Sequence, residues 1–246
     1  MPVVMALRNP DLKEHHWDDI NEMIGQKLDI HEEGFTLQNL IDMNVTQFNE
    51  QIVAKGVEAT GQAKLGNQLQ NLEDNWKIIQ FVTKTYKEKD NCFILGGAED
   101  MYTYLDEGLA EINMILGNRF VKIMRSKADK VKKELTLLST AVEEWFEVQK
   151  QWCYLENIFS GGSIKQQLPD ESKIFEQVNK TFLQLNTKAN RNPQALKFIR
   201  ATPNIVDMLK KLNADLERIN NKLNLYVESK RMIFPRFYFL SQEDLI

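Results

Sequence analysis

The chain has 246 residues, 43% of them hydrophobic and 27% charged, with a formal net charge of −4. That length can bury a sizeable core, the composition is neither disordered nor collagen-like, and the acidic balance makes no case for nucleic acid. No apolar run approaches the roughly 18 residues of a membrane span, no signal peptide is visible, and Cys92 and Cys153 suit a reducing, cytoplasmic setting without a disulfide framework.

Helical periodicity dominates. Asn9-Pro10 reads as an N-cap with proline at the first helical position, followed by the stripe Leu12, Trp17, Ile20 and Ile24 before Gly25. A short helix is expected after Thr36. A longer one runs from near Thr46 toward Trp76 on Leu65, Leu69, Leu72 and Trp76. Gly56, Gly61 and Gly66 each weaken its first half by about 1 kcal/mol relative to alanine, so a bend or break is expected there.

The period then changes. Ile79, Phe81, Thr83 and Thr85 alternate, Lys87 to Asn91 make a polar turn, and Cys92 to Leu95 resume a strand, which predicts a β-hairpin at about 78–95. After Gly96-Gly97 a helix carries Met101, Leu105, Leu109, Ile112 and Leu116 and closes at Gly117-Asn118. Met124, Ala128, Val131, Leu135, Leu138, Val142 and Trp145 then step four and three, continued by Gln149 and Trp152. Phe120, Leu137, Phe146, Leu155 and Phe159 widen that stripe, so this helix should pack on more than one neighbour. It ends at Ser160-Gly-Gly-Ser163.

A helix over about Asp170 to Thr187 shows Phe175, Val178, Phe182 and Leu185. Asn192-Pro193 opens a short helix, and Thr202-Pro203 repeats the cap-plus-proline signal. A second heptad run follows on Ile205, Leu209, Leu212, Leu216, Ile219, Leu223 and Tyr226. Phe234, Pro235, Arg236, Phe237, Tyr238, Phe239 and Leu240 then read as a strand apolar on both faces, able to dock beside the hairpin as a third strand or to lie alone under cover. The expected fold is mainly α: an elongated helical bundle of long heptad-patterned helices, with one inserted β-hairpin and a C-terminal β-strand at 234–240. Residues 1–118 would hold the N-terminal helices and hairpin, and 119–246 the long-helix bundle. A homodimeric coiled coil is the rival arrangement; the wide stripes and the bounding breakers favour bundling within the chain.

Nothing resembles an active site. Gly56-Val-Glu-Ala-Thr-Gly61-Gln62-Ala63 has phosphate-loop spacing, but glutamine and alanine stand where lysine and Ser/Thr are needed, and no strand precedes it. His15, His16 and His31 lack metal-ligand spacing, and the pairs Asp18-Asp19 and Glu143-Glu144 splay apart on a helix. Catalytic, cofactor and metal residues are therefore read as none. Trp145 and Trp152 read as core anchors. The basic cluster Arg119, Lys122, Arg125, Lys127, Lys130, Lys132 and Lys133 reads as a solvated face, with docking to an acidic protein surface as the functional alternative.

Three segments carry a resemblance. The first is Leu7-Arg-Asn-Pro-Asp-Leu-Lys-Glu-His-His16-Trp17-Asp-Asp-Ile20. The second is Trp145-Phe-Glu-Val-Gln149-Lys-Gln-Trp152-Cys-Tyr-Leu155-Glu156-Asn-Ile-Phe159, followed by Leu168-Pro169 and Phe175. The third is Leu225-Tyr226, Lys230-Arg231 and Phe234-Pro-Arg-Phe-Tyr-Phe-Leu-Ser241. Together they resemble the N-terminal part of the linker region of dynein heavy chains, and the Phe-Leu-Ser ending leans toward the axonemal kind. The resemblance implies a helical lever without catalysis of its own, lying across the ATPase ring of the same heavy chain and coupling the ring's nucleotide state to movement along microtubules. It implies a place in the cytoskeleton of a cilium or flagellum, other dynein subunits as partners, indirect contact with microtubules, and neither cofactor, nucleic acid nor membrane. Gly56, Gly61 and Gly66 depart from the family's more continuous charged helix. Gly161-Gly162 and that glycine stretch are the candidate hinges, and the aromatic run is expected to mark a cut within the lever. A spectrin-like helical scaffold or adaptor module is the alternative.

Overall fold

The computed structural model describes residues 2–28, 36–87 and 92–240. Among them the chain is mainly α-helical, with a single two-stranded antiparallel sheet. It divides into two compact units: Met1–Glu73 with Glu111–Lys130, and Asp74–Ala110 with Val131–Ile246. The hairpin thus groups with the later long helices, whereas the sequence pattern sets it with residues 1–118.

In the first unit, α1 (Pro2–Leu7), α2 (Glu14–Ile24), α3 (Leu37–Asp42) and the start of α4 (Asn49–Ile78) surround a core of Val3, Leu7, Ile20, Leu28, Val45 and Ile52. Trp17 and Phe48 pack against it, partly buried. Gly25 ends α2 with a φ of 73°, its N–H donating to the Asn21 carbonyl at 2.9 Å, a conformation that a side chain would strain. Asn9 does not cap α2, which starts only at Glu14. Its Oδ1 accepts from Asp11 N at 3.0 Å, and its Nδ2 donates to the Gly56 carbonyl and to Thr60 Oγ1, each at 2.8 Å.

The expected break in α4 does not occur: the helix runs unbroken for 30 residues through Gly56, Gly61 and Gly66. The glycines serve close packing. A Cβ on Gly61 would stand 2.3 Å from Phe120 Cδ2, and one on Gly56 would touch Ala6 Cβ at 3.4 Å. The dense packing that this allows offsets the helix-propensity loss.

In the second unit the expected hairpin forms, although its first strand starts at Val82 rather than at Ile79: β1 (Val82–Thr85) is paired to β2 (Phe93–Gly96) from Val82↔Gly96 to Thr85↔Phe93. Its turn at 88–91 lies outside the described residues, as do His31 and Ser241. After α5 (Ala98–Gly117) comes α6 (Arg125–Phe159), 35 residues long, then α7 (Gly162–Gln167), α8 (Pro169–Arg191), α9 (Ala195–Arg200) and the 29-residue α10 (Ile205–Ile233). Both β-strands and α10 pack on α8. Leu209, Leu216, Ile219 and Leu223 of α10 are buried, as the heptad spacing requires.

The C-terminal strand is overturned. Pro235–Phe239 is a 3₁₀ turn, and no third strand joins the hairpin among the described residues. The backbone beside β1 pairs instead with the stretch before α9: Phe81 N donates to Pro193 O at 2.7 Å and Ala195 N to Ile79 O at 3.1 Å. Pro235 has no N–H for a ladder, and its fixed φ suits the first position of a helical turn. Local bonds then close the turn, Phe237 N to Phe234 O at 2.9 Å and Leu240 N to Phe237 O at 3.1 Å. Pairing so close in sequence avoids the loop-closure entropy of a distant strand.

Candidate functional site: two buried amide networks

The motif residues fall into two networks, one in each unit. In the first unit His16 is 1% exposed on α2. Its Nδ1 accepts from Lys13 N at 3.0 Å, which places the proton on Nε2, and Nε2–H donates to Gln62 Oε1 at 3.0 Å. The amide continues outward: Gln62 Nε2 donates to Glu58 Oε1 at 3.0 Å, and Lys55 Nζ bridges Glu58 and Asp19 at 2.9 and 2.8 Å. Burial, helped by neighbouring His15, holds the His16 imidazole below its usual range, so it stays neutral near pH 7. The Lys55 ammonium, through its hydrogen bond, holds Asp19 below the usual carboxylate range. Gln62, which stands where a phosphate loop needs lysine, is the piece that sequence reasoning missed. Its signal is a polar residue on the buried side of a helix.

In the second unit α6 supplies a ladder to α8. Trp145 Nε1 donates to Asn186 Oδ1 and Trp152 Nε1 to Asn179 Oδ1, both at 2.9 Å, and Phe159 stacks on Phe175 at 5.1 Å between centroids. A seven-residue step up α6 is matched by a seven-residue step down α8, the relation of two antiparallel helices in register. Burying an indole without a partner for its N–H would cost about 1–3 kcal/mol, which explains an asparagine with no exposed surface among apolar neighbours. Trp145 also lies 5.5 Å from both Phe81 and Phe198, and Trp152 lies 5.0 Å from Tyr86 and 4.9 Å from Phe182.

Gln149, between the tryptophans, clips the hairpin. Its Nε2 donates to Leu95 O at 2.8 Å while its Oε1 accepts from Leu95 N at 2.7 Å, so one side chain substitutes for a strand's edge bonding. Glu156 is buried and accepts from Lys87 Nζ at 2.7 Å, Tyr86 OH at 3.3 Å and Ser160 Oγ at 3.0 Å; Lys87 also reaches Asn157 Oδ1. Leu155 is buried beside it. Burial pushes the neighbouring Cys153 thiol up, away from nucleophilic use. Trp76 is buried against Gly108, where a Cβ would come 2.7 Å from the indole nitrogen.

The remaining motif residues stand apart from these networks. Pro169 opens α8, and Gly161 sits at the start of α7 with an ordinary φ of −74°; Gly162 is the first residue of that helix. Arg231 Nη1 pairs with Glu228 at 2.9 Å, its Nη2 donates to Leu240 O at 3.1 Å, and its guanidinium lies over the Tyr238 ring. Phe234 and Phe237 contact each other at 5.3 Å, while Arg236 and Phe239 face solvent, Phe239 at 92% exposure. Of the basic cluster, Lys127 pairs with Glu73 at 2.6 Å and Arg125 lies 4.0 Å from Asp129. Among the described residues no three His, Cys, Asp or Glu side chains gather as a metal site, and no helix is long and apolar enough to cross a membrane. These networks order helices and a hairpin.

The chain belongs to the family of the dynein heavy chain, N-terminal region 2, whose model matches residues 1–246. It is 37% identical to dynein axonemal heavy chain 6 of Homo sapiens and 36% identical to dynein axonemal heavy chain 2 of the same organism, in each case over the whole of this chain and 6% of the relative. It is 32% identical to the dynein-1-beta heavy chain of the flagellar inner arm I1 complex of Chlamydomonas reinhardtii, over the whole chain and 5% of that protein. The chain thus spans only a small part of the relatives it matches. The axonemal resemblance read from the three segments stands, and the spectrin-like scaffold is not favoured.

Proposed function

We propose that this chain is the N-terminal part of the linker of an axonemal dynein heavy chain, a mechanical lever without catalysis of its own. It passes nucleotide-driven changes in the ATPase ring of the same polypeptide to movement along microtubules, which it meets only indirectly. Its setting is the axoneme of a cilium or flagellum, with other dynein subunits as neighbours. The observation that supports this most is the cross-tied ladder of α6, α8 and the hairpin. Two indole–amide bonds and the Gln149 clip hold long helices to one another through directional contacts as well as apolar ones, and a lever must resist internal sliding. Gly161 and Gly162, just beyond the ladder, are the proposed hinge.

The test is a motile heavy chain carrying this segment with Gln149→Ala and Asn186→Ala together. The expected result is microtubule-stimulated ATP hydrolysis near the parent rate with slowed gliding; equal gliding speed at equal ATPase would contradict the lever. Turnover of ATP by the isolated chain would contradict the absence of catalysis.

A further inference from the structure

The first unit carries a groove that neither network uses. It has a volume of about 980 Å³ and runs between α1 and the first half of α4, with Gly56 and Gly61 in its floor and Phe120 at one end. Ala6 and Phe120, which close over Gly56 and Gly61, line it together with the apolar side chains of Met5 and Val57. Those two apolar side chains are 73% and 51% exposed. No carboxylate lines the groove among the described residues, while Arg8 does. A second cation, Arg119, lies with its guanidinium 4.5 Å from the centroid of the Phe120 ring.

Neither arginine has an ion pair among the described residues, although the chain holds 35 acidic residues against 31 Lys and Arg. Elsewhere in this unit cations do find carboxylates, Lys55 with Asp19 and Lys127 with Glu73. An apolar floor with a guanidinium on its wall and another over its end ring is complementary to an apolar anchor flanked by carboxylates, because a guanidinium fork matches a carboxylate in charge and in geometry.

The geometry points to this groove as a docking site for a short apolar segment of another protein, carrying Asp or Glu beside its anchor residue. The site is independent of the lever reading, since it lies in the other unit from the cross-tied ladder and needs no motor activity. A displayed library of random 16-residue peptides, panned on the full chain, tests it. The selected peptides should combine Leu, Phe or Trp with adjacent acidic residues. Their binding should weaken about tenfold or more on Val57→Arg, an exposed substitution whose fold is checked by circular dichroism. Arg8→Glu with Arg119→Glu should weaken them similarly, and repanning on that variant should select basic flanks instead. No enrichment, enriched peptides indifferent to Val57→Arg, or the same acidic flanks on the charge-reversed variant would each overturn the proposal. So would tight binding by an isolated small anion such as acetate without any apolar anchor.

Discussion

Asn186 shows how much one side chain can decide. Its Oδ1 is the partner of the Trp145 indole in a fully buried setting, so Asn186→Ala removes the acceptor and leaves the N–H behind. The chain should lose about 1–3 kcal/mol in denaturant unfolding. With Trp145→Phe in the background the same change should cost measurably less, because the orphaned donor is gone; equal costs in both backgrounds would show that the bond contributes nothing. His16 makes a prediction in pH. Its folded-state affinity for a proton is depressed, so the unfolded chain protonates first as pH falls below the ordinary histidine value of 6.5. Its contribution is complete above that value and shrinks as pH drops toward the lowered one. His16→Gln should flatten the fall in stability that urea titration sees as pH drops below the ordinary histidine value of 6.5.

At the scale of elements, apolar periodicity made the helices legible, and alternation made the hairpin legible. The heptad run became α6 from Arg125 onward, and the alternation became the strand pair Val82–Thr85 and Phe93–Gly96, because those patterns are set by burial on one face. Two readings failed where a local feature carried opposite meanings. Glycine spacing in α4 predicted a break, yet the missing Cβ atoms admit Phe120 and Ala6, contacts that no local pattern reveals. Gly61→Ala should therefore destabilise by about 1–3 kcal/mol despite alanine's better helix propensity, measured as a lowered Tm. Aromatic alternation in 234–240 predicted a strand, but a strand needs a neighbour, and the edge beside β1 belongs to Pro193–Ala195. The amide partners Gln62, Asn179 and Asn186 were illegible for a related reason: polar residues in a stripe announce a bond but not its partner. At Gly161 the backbone is ordinary, and an added Cβ would meet only Ile158 O at 3.5 Å. Gly161→Ala should then hold or raise stability by about 0.4–1 kcal/mol in thermal unfolding, while slowing motility if that joint bends in the working motor.

At the scale of the whole molecule, the chain passes between its two compact units three times, each time within a helix: α4, α5 and α6. Family membership covers every residue, while the chain amounts to 6% of its human relatives, so its role is proposed as a part played inside a far larger machine. The central claim is that this part moves as a lever with the nucleotide state of the ring. The direct measurement is single-molecule energy transfer in an active heavy chain, with one dye at Met114, which is 71% exposed, and the other on the ring. The lever account predicts two distances that exchange with nucleotide state, one in the absence of nucleotide and another with ATP and vanadate. A single unchanged distance through both states, in a motor that still turns over ATP, would contradict it.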